Sequence, residues 1–244
     1  MRLDLSGRTA LVTGGSRGIG RAIAEALAAA GALVVVHGLP DHADEARDVA
    51  ALLPGGTATA MDLALPGAGR ALVKSCPQLD ILVLCAAVEI RRPWAEIPPA
   101  EVDLQLGVNL REQVALMQAV VPGMMARGWG RVLAIGSVQS IRPHPDMLVY
   151  AATKAAMANM VRNLARQVAA HGVTVNALSP GAIETQRNAA ALADPAYRDA
   201  VLRAIPAGRL GQPGDCAGLA VFLCSDAAAY VTGTEMRVDG GMSL

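Results

Sequence analysis

Tyr150 and Lys154 stand four apart in the run Tyr150-Ala151-Ala152-Thr153-Lys154. On a helix that spacing puts both side chains on one face. A phenol with a pKa of about 10 is a poor base at neutral pH, and a neighbouring ammonium favours the phenolate and draws the group toward a useful range for proton transfer. The pairing runs against the habit of the chain, which uses arginine almost everywhere: Lys74 and Lys154 are its only lysines, and it has 3 tyrosines. Ser137 places a hydroxyl just after the apolar run Val132-Leu133-Ala134-Ile135, ahead of that helix.

A second group of residues is suited to holding a ligand. Thr13-Gly14-Gly15-Ser16-Arg17-Gly18-Ile19-Gly20 follows the apolar run Thr9-Ala10-Leu11-Val12 and leads into Ile19, Ala22, Ile23, Ala26, Leu27 and Ala30, an apolar set at helical spacing. This reads as strand, glycine turn, helix. Glycines at 14, 18 and 20 let the chain reverse tightly and let backbone approach a ligand, while the helix start offers free N–H groups and a positive dipole end to a diphosphate.

The elements that must position these groups alternate along the chain. Strands are expected at 9–12, 33–36, 57–61, 81–84, 132–135, 173–178 and around 236–238. Helices are expected from 19, over 41–53, 68–74, 101–125 with a break near Pro122, 147–170, 195–203 and 215–223. That order predicts an α/β, Rossmann-type doubly wound parallel sheet of about seven strands with helices on both faces, with the ligand over the carboxyl ends of the strands. The length suits one domain spanning 1–244.

With 21 basic and 21 acidic residues the formal charge is zero, and no basic block argues for nucleic acid or an anionic membrane as partner; a small molecule is expected instead. Cys76, Cys85, Cys216 and Cys224 form no CxxC pair and read as reduced thiols; no metal site is expected. The start of the chain lacks a signal-peptide pattern and no apolar run approaches membrane-spanning length, so a soluble, cytoplasmic protein is expected.

Taken together, TGGSRGIG from Thr13, Ser137, Tyr150-Ala-Ala-Thr-Lys154 and Pro180-Gly181 resemble the short-chain dehydrogenase/reductase family in its single-domain form, nearest in look to the 3-oxoacyl-[acyl-carrier-protein] reductase-like branch. The resemblance covers nearly the whole chain. It implies hydride transfer between a nicotinamide and an alcohol or carbonyl carbon, with Tyr150 passing the hydroxyl proton. Lys154 would depress its pKa and hold the nicotinamide ribose, Ser137 would bind the substrate oxygen, and Asn109 would support a water in the proton path. It also implies cofactor contacts from Gly14, Ser16, Arg17, Gly18, Ile19, Gly20, His37, Asp62, Leu63, Ala86, Tyr150, Lys154, Pro180, Gly181, Ile183 and Thr185. A sensor that binds cofactor without turnover is the alternative from another class.

The chain departs from the family at Leu84-Cys85-Ala86-Ala87, where Asn-Asn-Ala-Gly is usual. Lost hydrogen bonds would have to be replaced by apolar packing, and a positive φ at Ala87 would cost about 1–2 kcal/mol. At the end of the second strand, Gly38 stands where an NAD enzyme usually carries an acid, and Arg17 is within reach of a 2′-phosphate, so NADP(H) is favoured over NAD(H). The helix after Tyr150 has more apolar surface than one sheet face needs; with the resemblance, this points to a homodimer or homotetramer. Arg92, Trp94, Gln139, Arg142 and His144 are expected at the substrate, beneath a lid at about 184–206. Arginines there favour a small polar sugar derivative or hydroxy or keto acid over the runner-up, a 3-oxoacyl thioester.

Overall fold

A computed structural model describes residues 3–244. Seven strands, β1 (Thr9–Thr13), β2 (Leu33–Gly38), β3 (Thr57–Ala60), β4 (Ile81–Leu84), β5 (Gly130–Ile135), β6 (Val173–Pro180) and β7 (Glu235–Val238), form one parallel sheet. Their order, β3-β2-β1-β4-β5-β6-β7, reverses direction between β1 and β4, which opens a crevice above their carboxyl ends. β4, β5 and β6 are buried along their whole length, matching their near-continuous apolar sequences, whereas the edge strand β3, Thr-Ala-Thr-Ala, is largely exposed.

Helices α1 (Gly18–Ala29), α2 (Ala43–Ala51), α3 (Ala68–Lys74), α4 (Pro99–Leu106), α5 (Glu112–Arg127), α6 (Leu148–Val168), α7 (Gln186–Leu192), α8 (Pro195–Arg203) and α9 (Pro213–Cys224) complete the chain. Two apolar cores lie on opposite sheet faces, one gathering α1, α2 and α9 and the other α3, α5 and α6. The helix expected over 101–125 is interrupted earlier than Pro122: a π-helical turn over Gly107–Arg111 separates α4 from α5, and α5 runs through Pro122 to Arg127. Such turns often mark functional sites, and this one carries Asn109. No helix among the described residues is long and apolar enough to cross a membrane.

Candidate active site

A cleft of about 940 Å³ runs across the carboxyl ends of the strands, lined at one end by the glycine turn and at the other by Ser137, Tyr150 and the segment carrying α7 and α8. Each glycine of the turn answers a separate demand. Gly14 and Gly18 have φ of +65° and +54°, and a Cβ at Gly20 would stand 2.1 Å from the Gly14 carbonyl oxygen. Ser16, Arg17 and Ile19 line the cleft beside them, as do Asp62, Leu63, Ala86, Pro180, Gly181, Ile183 and Thr185. A glycine turn that lines the cleft at the start of α1 fits a dinucleotide diphosphate, since the first N–H groups of a helix have no partner within it.

His37 reaches the same wall but spends its ring on the protein: Nδ1 accepts from the Gly14 N–H at 3.1 Å and Nε2 donates to the Met61 carbonyl at 2.9 Å. Burial pushes its pKa down, so the ring is neutral and braces the turn. Arg17 lines the same cleft as Gly38, pairs with Glu45 at 3.2 Å and donates to Gln186 Oε1 at 3.4 Å. The lining there includes Leu39, Pro40, Asp41 and His42.

The departing segment after β4 is not held by apolar packing alone. The buried Thr13 hydroxyl accepts from the N–H groups of Cys85 and Ala86 at 3.0 and 3.2 Å and donates to the Val83 carbonyl at 3.1 Å. Asn109 accepts from Val88 N–H and donates to Val88 O, both at 2.8 Å, and Gln113 donates to Ala86 O at 3.1 Å. The expected backbone strain is absent: among the described residues only glycines have positive φ, so Ala87 sits in ordinary geometry. Asn109 also donates to Thr153 Oγ1 at 3.2 Å, so its side chain is committed to protein groups and acts here as a clamp on the Val88 backbone.

Ser137, Tyr150 and Lys154 converge where β5 ends and α6 begins. All three are buried. The Ser137 hydroxyl accepts from Gln139 N–H at 3.2 Å and acts to lower the Tyr150 pKa. Lys154 Nζ donates to the Ile135 carbonyl at 2.7 Å and lies 5.4 Å from the Tyr150 ring centroid. Desolvation dominates both groups. It pushes Tyr150 up to about 12, with Glu89 adding to the rise while Arg187 and Ser137 oppose it, and pushes Lys154 down to about 8. The lowering of the phenol expected from Lys154 is not found: burial dominates, and the groups that oppose the rise are Arg187 and Ser137.

At the far end the structure redraws the expected substrate wall. Gln139 lines the cleft, with its Oε1 accepting from His144 N–H at 2.6 Å. Arg92, Trp94, Arg142 and His144 do not line it. Arg92 is held by Glu101 through two hydrogen bonds, Trp94 is 73% exposed, Arg142 donates to the Met242 carbonyl, and His144 Nδ1 accepts from Asp146 N–H at 3.1 Å. Glu89 and Arg91, which the same reading of the loop after β4 expects there, do line it, together with Arg187 and Tyr197 of the segment expected as a lid. Arg91 donates to Glu89 at 3.3 Å and to the Tyr197 hydroxyl at 3.0 Å, and Arg187 donates to the Ala87 carbonyl at 2.9 Å. The sequence signal for Arg187 was its place two residues beyond Thr185, on the first turn of α7.

A family model described as enoyl-(acyl carrier protein) reductase matches residues 14–243. The 3-oxoacyl-[acyl-carrier-protein] reductase of Vibrio harveyi is 38% identical, over 99% of this chain and 100% of its own. A 3-oxoacyl (acyl-carrier-protein) reductase from Agrobacterium tumefaciens C58 with NADP bound superposes with a TM-score of 0.92 at 41% identity, covering 98% of this chain and 95% of that one. A gluconate 5-dehydrogenase from Burkholderia cenocepacia J2315 in complex with NADP and tartrate gives 0.93 at 35% identity, covering 99% and 97%.

Proposed function

The chain belongs to the short-chain dehydrogenase/reductase family and is an NAD(P)-dependent oxidoreductase of hydroxy and keto compounds, and on that premise we propose that it uses NADP(H) to interconvert a secondary alcohol and a ketone in a small polar substrate, a sugar derivative or a hydroxy or keto acid. The observation that carries this reading is the meeting of Ser137, Tyr150 and Lys154 with the glycine turn in one cleft. A bound nicotinamide dinucleotide supplies or receives the hydride. In reduction, Tyr150, kept neutral by burial, gives its proton to the developing alkoxide; in oxidation its oxygen takes the proton back. Ser137 holds the reacting oxygen against the phenol. Lys154, anchored on the Ile135 carbonyl, stabilises the negative charge left on the phenol oxygen and faces the cleft as a donor for the nicotinamide ribose. Asn109 is a positioning residue that clamps Val88.

Support for NADP(H) comes from Arg17 on the cleft it shares with Gly38 and from the NADP held by the Agrobacterium and Burkholderia proteins. The tartrate in the second of these supports a small hydroxy acid. A 3-oxoacyl thioester remains the second reading, favoured by the Vibrio relative's activity and by apolar cleft residues such as Leu192 and Val201. Of the basic residues Arg127, Arg131 and His171 that could meet an acidic carrier, Arg131 is buried on Ser225 and Asp226 and Arg127 reaches Leu79 and Asp80, so of these three only His171, which is exposed, is left without such a partner. We assign residues 184–206, with α7 and α8 over the cleft, as a substrate lid within a single domain. Exposed or half-buried Ala152, Ala155, Ala156 and Met160 on α6 fit a face shared between copies in a homodimer or homotetramer. The four unpaired cysteines fit a reducing compartment, the cytoplasm.

The test is NADPH oxidation and NADP reduction by the purified protein across sugar acids, 2- and 3-keto acids, cyclic ketones and 3-oxoacyl thioesters. Turnover is expected to be greatest among the sugar and keto acids. Turnover confined to 3-oxoacyl thioesters replaces this reading with the second, and inertness with tight NADPH binding replaces both with a sensor.

A further inference from the structure

The arginines of the cleft differ in what they have left to offer. Arg17 is paired with Glu45, and Arg91 is divided between Glu89 and the Tyr197 hydroxyl, with its guanidinium 5.5 Å from the Tyr197 ring centroid. Arg187 has no acidic partner among the described residues; its one hydrogen bond is to the Ala87 carbonyl, which uses a single N–H of the five a guanidinium carries. That bond fixes the side chain where the lid crosses the segment after β4, on the cleft shared with Tyr150 and Ser137. The Glu89 carboxylate on the same wall, mostly buried, is paired with Arg91.

We propose that Arg187 is the specificity-determining residue of this enzyme, receiving a substrate carboxylate on its free N–H groups, so that the reacting hydroxyl or carbonyl belongs to a small hydroxy or keto acid. This rests on the oxidoreductase reading above and narrows its substrate class. The guanidinium presents paired donors that match a carboxylate in bidentate fashion. Its charge is felt at the reacting group, since Arg187 opposes the rise of the Tyr150 pKa. An uncharged chain lying across Arg187 would strip water from the guanidinium and give no counter-charge in return, which rejects neutral ketones and acyl chains.

Two measurements separate this assignment from the reading beneath it. Tartrate, a four-carbon hydroxy diacid, is titrated calorimetrically into the NADP-saturated protein and into Arg187→Gln and Arg187→Lys, each checked for an unchanged melting curve. In parallel, kcat/KM is compared for aldonates and for the alditols of the same chain length. Tartrate is expected to bind the wild type and to weaken about tenfold or more in Arg187→Gln, with partial recovery in Arg187→Lys. The aldonate-to-alditol ratio of kcat/KM is expected to collapse with Arg187→Gln through KM. Tartrate binding that is absent from the wild type or indifferent to Arg187→Gln overturns the assignment, as does a wild type that prefers the alditols; turnover of neutral ketones would then leave the oxidoreductase reading standing. Tartrate bound through Arg187 in a protein inert on every substrate would instead uphold the anion site and remove the reading it rests on.

Discussion

Lys154 Nζ stands 5.4 Å from the centroid of the Tyr150 ring and gives its hydrogen bond to the Ile135 carbonyl, at 2.7 Å. The cation is thus anchored to the end of β5, beside the phenol ring. Burial raises the phenol to about 12 and lowers the ammonium to about 8, so the pair favours neutral tyrosine and holds the lysine proton less tightly than a lysine in water does.

This arrangement sets a pH dependence of stability. Lys154 binds its proton more weakly folded, at about 8, than unfolded, at 10.5, so between those values the unfolded chain holds more protons and stability rises with pH. The penalty for burying the charge is fully present below pH 8 and fades as pH approaches the unfolded value, a recovery on the order of 2–3 kcal/mol. Tyr150 acts oppositely: it keeps its proton folded up to about 12 and loses it unfolded near 10.0, so stability falls above pH 10.0. Urea denaturation of wild type and Lys154→Met at half-unit steps from pH 7 to pH 10 is expected to show the wild type gaining stability relative to the variant as pH rises, against the fall above pH 9.0 that the buried thiols of Cys216 and Cys224, raised to about 12, impose on both. Parallel curves would contradict the burial of a titrating Lys154.

The segment after β4 yields a contrast between two substitutions. Thr13→Val removes the hydroxyl that accepts from Cys85 and Ala86, leaving two N–H groups without that acceptor, and is expected to cost about 2 kcal/mol or more and to weaken NADPH binding. Ala87→Gly relieves no strain, because Ala87 has no positive φ, and is expected to destabilise by about 0.4–1 kcal/mol through chain entropy. Thermal melts with and without NADPH check both; stabilisation by Ala87→Gly would show that the alanine is strained after all.

Arg17 is held by Glu45 at 3.2 Å, so a 2′-phosphate would compete with a carboxylate for it. Arg17→Ala is expected to raise the Kd for NADPH about tenfold with little change for NADH, and Glu45→Gln to lower it for NADPH. Fluorescence titration with both dinucleotides reads this directly. Equal losses for the two would assign Arg17 to the lid through Gln186 rather than to the phosphate.

Much of this site was legible in the sequence because its parts are local. The glycine turn is fixed by steric demands at Gly14, Gly18 and Gly20, and Tyr150 and Lys154 by one helical repeat, so their spacing put them on a turn and on one helix face, while their roles came from the family resemblance of the motifs taken together. The substrate wall depends on which way side chains turn over long distances in sequence. Arg92 is claimed by Glu101 and Arg142 by the Met242 carbonyl, neither of which spacing discloses, while Arg187 enters the cleft only because α7 crosses Ala87. The bracing of residues 85–88 by Thr13, Asn109 and Gln113 was equally hidden, since it joins β1, the π-helical turn and α5.

The central claim is that Tyr150 passes the proton in a hydride transfer run from this cleft. Steady-state turnover of Tyr150→Phe with NADPH and the best keto substrate of the wild type, alongside the Kd for NADPH, tests it most directly. The account predicts a fall in kcat of about 10²–10⁴-fold or more with NADPH affinity nearly unchanged. A Tyr150→Phe enzyme that turns over as fast as the wild type would contradict it.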